Sequence, residues 1–387
     1  MKKILIATPY MHTGGVEVSL IRFLKEISVN NDITLLLLKK EGIYLKDIPK
    51  NVKIVTVNYD NSLYDYDNKI ADVINFHGFD KVKYLIFRIK LKLCLMFNNW
   101  DKYYKLILPH IKDLEDNYDL AIDFHGYGHI VTSIVAEKVE AKKKAFFVHD
   151  EKCEWITKIK SWINDYNRIY CVSKACRQTL IKDFPFLFDK ADVFYNIIDY
   201  KEIRERALEK IDTFSSDVIN LVTVGRLEWQ KGYDILLLVA KRLKERNFKF
   251  NWFVIGDGTL KTDLEKMKVK YGLNNVIFLG IKKNPFPYIK NADFYIQTSR
   301  HEGFGLAIME AKILGTVVIA TDLNCVKEQI TNNENGFLCE LNPTRFADKI
   351  IEISKNKELI KKIKENLSDE NFDYTSQFEK LYKLMEE

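Results

Sequence analysis

At 387 residues, with 47% hydrophobic and 29% charged side chains, the chain is too long for one ordinary core and is composed like a globular protein of two domains. A net charge of +6 is mild and argues against a nucleic-acid partner. Six cysteines occur without C-x-x-C spacing and without a histidine in a zinc pattern, which excludes a disulfide scaffold and a structural zinc and leaves six reduced thiols of a cytosolic protein.

The opening "MKKILIATPY" carries too short an apolar run for a signal peptide and predicts a first strand. "GGVEVSLIRFLKEIS" follows as a glycine turn and a helix, and "DITLLLLKK" and "VKIVTVN" read as further strands. Residues 81–105 are basic and greasy at once. Lys81, Lys83, Arg88, Lys90, Lys92, Lys102 and Lys105 face one acid, Asp101, and aromatic and aliphatic residues fill the gaps. Charges interrupt this stretch too often for it to span a bilayer, and no segment reaches the roughly 20 uninterrupted apolar residues that a span requires. It fits a helix on an anionic membrane surface, with an ordinary packed helix as the plainer alternative. "YDLAIDFHG", "KKAFFVHD" and "NRIYCVS" complete the strands of the first half.

The alternation restarts near residue 218, after a linker at about 196–217. Strands are predicted at "DVINLVTVGRL", "FNWFVIGDG", "NVIFLG", "DFYIQTS" and "TVVIATD". Helices are predicted at "GYDILLLVAKRLKER", "LKTDLEKMKVKYG", "LAIMEAKIL" and the terminal "SQFEKLYKLMEE". Strand and helix alternating in this way predicts two doubly wound α/β units with parallel sheets.

Ligands of such sheets bind at strand ends. Gly14 and Gly15 follow the first strand. Arg226 and Lys231 follow "VTVG", Gly256 and Asp257 end "FVIGDG", and Gly303, Phe304, Gly305 and Leu306 join a strand to a helix. A strand, a glycine turn and a helix N-terminus gather free N–H groups and a positive dipole end, which suit a phosphate. Around that turn stand Glu302 and Glu310, eight positions apart. Helical periodicity sets the first at the turn and the second two turns inside, near the same face. Two carboxylates beside a phosphate cradle indicate a phosphorylated ligand gripped by its hydroxyls. Solvated helix carboxylates are the competing reading.

With these motifs in this order, the chain resembles glycosyltransferase family 4, the retaining glycosyl transferases group 1, which have the GT-B fold: two Rossmann-like domains facing a central cleft. The resemblance implies an acceptor domain at 1–200, a nucleotide-sugar domain at 201–370, and a terminal helix, 371–387, returning to the first. It implies that Arg226 and Lys231 neutralise the leaving diphosphate without a metal or cofactor, that Glu302 binds the donor sugar and that Glu310 binds the ribose. It sets Gly14 and Gly15 toward donor and acceptor, Gly256 and Asp257 along the nucleotide, and Ile281 near the base. Asn196 matches the family's N-G-[IV]-D, although Ile197 replaces the glycine. A histidine beside the donor sugar is implied at His149, with His125 as the alternative. The implied reaction is transfer of a hexose or N-acetylhexosamine from a nucleotide donor, UDP-linked by preference, to a saccharide or polyprenyl-diphosphate-linked acceptor. Its setting would be capsule, lipopolysaccharide or other surface polysaccharide synthesis, on the inner face of the cell membrane. A nucleotide-sugar epimerase of the same fold and a non-catalytic partner protein are the rivals. The first would release nucleotide without a glycosylated product, and the second would be expected to lack some of the four charged residues.

Overall fold

The computed structural model describes residues 1–12, 14–58 and 79–387, leaving aside the side chains of 79–81. Two compact units emerge. The first comprises Met1–Val172, Cys176–Tyr195 and Thr375–Glu387, and the second comprises Ser173–Ala175 and Asn196–Tyr374.

In the first unit the strands are β1 (Lys3–Thr8), β2 (Asp32–Leu37), β3 (Lys53–Thr56), β4 (Asn117–Asp123), β5 (Glu140–Val148), β6 (Arg168–Cys171) and β7 (Ala191–Val193). The helices are α1 (Gly15–Ile27), α2 (Phe79–Met96), α3 (Trp100–Ile107), α4 (Ile130–Lys138) and α5 (Lys174–Asp183). The sheet order is β3-β2-β1-β4-β5-β6-β7, and every pairing is parallel. Ile4, Leu5, Ile6 and Ala7 are fully buried. A continuous apolar run of this kind is what a strand covered on both faces requires.

The second unit holds α6 (Tyr200–Arg206), β8 (Ile219–Val224), α7 (Tyr233–Glu245), β9 (Phe250–Ile255), α8 (Lys261–Lys270), β10 (Val276–Gly280) and α9 (Phe286–Asn291). It continues through β11 (Phe294–Gln297), α10 (Leu306–Ile313), β12 (Val317–Thr321), α11 (Asn324–Lys327), β13 (Phe337–Cys339), α12 (Pro343–Lys355) and α13 (Lys357–Asp369). Its order is β10-β9-β8-β11-β12-β13, again wholly parallel. Trp252 is fully buried at the centre, and its indole N–H donates to Thr223 Oγ1 at 3.0 Å. Thr223 Oγ1 in turn donates to the Ile296 carbonyl at 2.7 Å, so this polar handle of the core is satisfied.

The last helix, α14 (Phe378–Glu386), belongs to the first unit. Phe378 sits 5.1 Å from the Phe23 ring and 5.9 Å from the Phe194 ring. All six cysteines are buried, and none of them forms a disulfide. Burial pushes the Cys153 thiol up to about 12 and the Cys339 thiol up to about 11.

Candidate functional site

In each sheet the strand order reverses once, between β1 and β4 in the first unit and between β8 and β11 in the second. The loops leaving the two strands at a reversal part in opposite directions and leave a crevice at the carboxyl ends.

In the second unit the loops after β8 and β11 are drawn together across that crevice. Gly232 has φ of +66°, and a Cβ there would lie 2.0 Å from the Thr298 carbonyl oxygen, so the close approach requires glycine. Thr298 Oγ1 donates to the Gly232 carbonyl at 3.0 Å. Arg300 makes a fork onto Asp234, 2.8 and 2.6 Å to its two oxygens, and its guanidinium lies 4.6 Å over the Trp229 ring. The Asp234 bond holds the Arg300 pKa above its ordinary value, against the opposing effect of burial.

Glu302 is the centre of this arrangement. Only 4% of it is exposed, and Lys231 Nζ donates to both carboxylate oxygens at 2.7 and 2.8 Å. Ser299 Oγ donates to it at 2.7 Å and Gln297 Nε2 at 2.5 Å. A buried carboxylate is tolerable because three donors, one of them a cation, meet it. Glu310 is also buried, on α10. Burial holds the pKa of the Tyr295 phenol well above its ordinary value, and neighbouring Tyr233, Glu302 and Glu310 add to that in turn.

One geometric expectation is corrected. Glu302 lies outside the helix, which starts only at Leu306, so helical periodicity does not relate the two glutamates. The position of Glu302 is set by Lys231, Ser299 and Gln297. Gly303, Phe304 and Gly305 form the entry to the helix, with Gly305 at φ +86° as its N-cap. In the first turn of α10 the Ile308 amide donates to the Gly305 carbonyl at 2.9 Å, whereas the amides of half-exposed Leu306 and Ala307 have no acceptor within the helix.

The other residues singled out in this unit lie at neighbouring strand ends. Arg226 is exposed at the end of β8. Gly256 and Asp257 end β9, where Asp257 accepts from the Gly258 amide at 2.8 Å and from Lys261 Nζ at 3.1 Å. These bonds, the Gly258 amide first, hold its pKa below the ordinary carboxylate value. Ile281, 62% exposed, follows β10. Asn196 lies apart from these, buried in the segment after β7, and Ile197 beside it is buried with no left-handed backbone.

In the first unit Gly14 has extended backbone and caps α1, with Gly15 opening the helix, and the Glu17 carboxylate folds back to within 2.3 Å of where a Gly14 Cβ would stand. The segment after β4 carries three successive left-handed residues, Gly126, Tyr127 and Gly128. A Cβ on Gly126 would lie 2.3 Å from the Phe147 carbonyl oxygen. His149, at the end of β5, has Nε2 at 2.6 Å from the Phe124 carbonyl and stacks on Phe147. His125, at the end of β4, meets Tyr10 edge-on at 5.9 Å across the reversal. Burial pushes His125 down to about 3, and His129 and His149 down to about 4, so these imidazoles are neutral at ordinary pH. Asp123 moves the other way, to about 6, because burial outweighs three hydrogen bonds from Thr132, Gly126 and His125.

Sequence reasoning passed over Gln297, Ser299 and Arg300. Their signal was present: polar side chains at and just beyond the end of a strand buried along its whole length. Among the described residues no cluster of histidine, cysteine and carboxylate side chains suits a metal ion, and no helix is long and apolar enough to cross a membrane.

The profile of the family described as "Glycosyl transferases group 1" matches residues 205–369, most of the second unit. A Klebsiella pneumoniae protein described as an uncharacterized 41.2 kDa protein in the cps region is 30% identical over 268 residues, 64% of this chain and 72% of that one. A Campylobacter jejuni N-acetylgalactosamine-N,N'-diacetylbacillosaminyl-diphospho-undecaprenol 4-alpha-N-acetylgalactosaminyltransferase is 29% identical over 44% of this chain and 45% of its own. A glycosyltransferase of Methanocaldococcus jannaschii, described as uncharacterized, is 31% identical over 53% of its own length. The chain thus spans about half the length of these last two relatives. Among solved structures, Anabaena HepE in complex with UDP and glucose superposes over the whole of both chains, with a TM-score of 0.70 at 17% identity. A glycosyltransferase from Rickettsia africae superposes over 100% of this chain and 98% of its own, with a TM-score of 0.70 at 19% identity. At these identities the superpositions speak to the fold, two Rossmann-like units of the GT-B type.

Proposed function

The chain belongs to the glycosyl transferases group 1 family, and from that premise we propose that it is a retaining glycosyltransferase. It moves a hexose or N-acetylhexosamine from a nucleotide donor, UDP-linked by preference, to a saccharide acceptor in surface polysaccharide synthesis. The observation that carries this reading is the pairing of Lys231 with buried Glu302 at the strand-order reversal, with Glu310 and the open N-terminus of α10 beside it. An ammonium and a helix N-terminus suit a diphosphate, and two carboxylates suit vicinal hydroxyls.

In this reading Glu302 takes the donor-sugar hydroxyls and Glu310 the ribose hydroxyls. Arg226 and Lys231 stabilise the diphosphate as charge develops on it, with no metal ion. Gly256, Asp257 and Ile281 border the nucleotide, and the turn Gly303–Phe304–Gly305–Leu306 meets the phosphates or the sugar. His149, or His125 in its place, stands beside the sugar, with Gly14, Gly15 and Asn196 completing the ligand contacts. The bond from the anomeric carbon to the phosphate oxygen breaks, and its electron pair stays on the diphosphate. The acceptor oxygen bonds to the same face of the carbon, and its proton passes to the departing phosphate. No side-chain nucleophile is needed, and the anomeric configuration is kept. The acceptor is carried on a polyprenyl diphosphate, and the enzyme works at the cytoplasmic face of the membrane, held there by residues 81–105. Of that stretch, the side chain of Lys81 lies outside the described residues.

A thermal-shift series with UDP, GDP, ADP, dTDP and CMP tests the donor side. One nucleoside diphosphate should stabilise the protein, by about 2.7 kcal/mol at a hundredfold excess over its Kd, and Glu310→Ala should weaken the shift. No shift with any nucleotide would sink the transferase reading.

A further inference from the structure

Within the first unit, α2 has two unlike faces. Tyr84 and Cys94 are buried, with Phe87 and Leu91 half-buried, so that side packs on the unit. The opposite stripe, Val82, Ile86, Ile89, Leu93, Met96 and Phe97, recurs at helical spacing and stands 44–77% exposed. Lys83 and Lys90 flank the stripe on one side and Arg88 and Lys92 on the other, all exposed. An apolar stripe between two basic margins matches the layering of an anionic lipid surface, with acyl chains beneath a plane of phosphates.

Where the stripe ends, Phe97 forms part of the wall of an open cavity of about 730 Å³. Trp100, Tyr127 and Trp155 supply aromatic rings to it, Glu154 a carboxylate, and Lys158 and Lys160 cations. Lys158 Nζ lies 5.0 Å over the Trp100 ring. Trp155 is 8% exposed, and its indole N–H is buried without a partner among the described residues. Flat rings cover the C–H faces of a pyranose, a carboxylate and an indole N–H pair with hydroxyls, and lysines answer a phosphate.

We propose that this cavity is the subsite for the saccharide headgroup of a lipid-carried acceptor, and that α2 lies with its exposed stripe in an anionic lipid surface so that the cavity meets that headgroup. The assignment rests on the transferase reading above and gives its acceptor a place in the molecule.

Sedimentation of the full chain with vesicles tests it. Phosphatidylcholine vesicles, with or without phosphatidylglycerol, are compared with the same mixed vesicles carrying a polyprenyl-diphosphate-linked N-acetylglucosamine. The protein should sediment with the anionic vesicles and not with pure phosphatidylcholine. Ile89→Asp should abolish that binding, and Lys90→Ala should weaken it roughly fivefold. The carried sugar should tighten binding roughly tenfold. Trp100→Ala and Glu154→Gln should each lose that gain while still binding the undoped anionic vesicles; Glu154 is exposed, so its variant stands even if Trp100→Ala misfolds. No gain from the carried sugar, or a gain that survives both variants, overturns the subsite. Binding indifferent to phosphatidylglycerol or to Ile89→Asp overturns the docking. Nucleoside diphosphate binding by the same preparations separates the two readings. Its absence alone indicts the transferase assignment, and a missing headgroup gain alone indicts this one.

Discussion

At the strand-order reversal of the second unit stand a lysine, a buried glutamate and an arginine–aspartate fork, each charge answered by another. At the corresponding reversal of the first unit stand His125, His129, Tyr10 and Tyr127, with His149 one strand further on, all held neutral by burial or by nature. The two sheets share strand order and parallel pairing. The contrast therefore comes from the loops. One scaffold presents ionic groups suited to phosphate and hydroxyls, and its counterpart presents rings and imidazoles suited to an uncharged partner.

The comparison breaks most directly at Lys231. Lys231→Ala removes the cation and leaves Glu302 buried with only neutral donors. Sugar transfer should fall by roughly 10²–10³, with kcat affected more than KM. A fall confined to KM would mean that the ammonium binds donor and transition state equally.

Next in size are the two glycines that permit close approach. Gly232→Ala and Gly126→Ala each set a Cβ within 2.0 or 2.3 Å of a carbonyl oxygen at a left-handed backbone. Each should cost roughly 2–4 kcal/mol of stability, read from urea unfolding. If the units unfold separately, each substitution should move only its own transition. A common shift would mean that the two share one cooperative transition.

The gentlest lever is pH. Below the ordinary histidine value of 6.5, the unfolded chain takes up protons that His125, His129 and His149 refuse until about 3 or 4. Stability of the first unit should therefore fall as pH drops from about 6.5 toward about 4. Asp123 opposes this, because below about 6 only its folded form binds a proton, but it is one group against three. The urea midpoint of the first unit should drop across this range. A midpoint that rises on acidification would show Asp123 prevailing.

The strands were legible because buried parallel strands leave uninterrupted apolar runs, as "KILIA" and "TVVIA" do. The exceptions, β7 and β13, are three residues each at sheet edges, too short to leave a pattern. At the site, Lys231 and Glu302 stood out in sequence for their place beside glycine turns, and folding brings them to 2.7 Å. Gln297, Ser299 and Arg300 did not stand out, since their work is to hold another side chain, and such a partnership has no spacing rule. The eight-residue interval between the glutamates misled because it spans a loop before the helix. In α2 composition conveyed basic and greasy character, whereas the separation into a packed face and an exposed stripe depends on what the helix rests against.

The buried thiols carry a practical consequence. Four of them, Cys94, Cys153, Cys171 and Cys176, lie in the first unit, and Cys325 and Cys339 lie in the second. A folded chain therefore offers little to an alkylating reagent, and modification waits on an opening event. Mass-resolved alkylation over time would give each half its own clock, with no label, dye or engineered residue added to the chain.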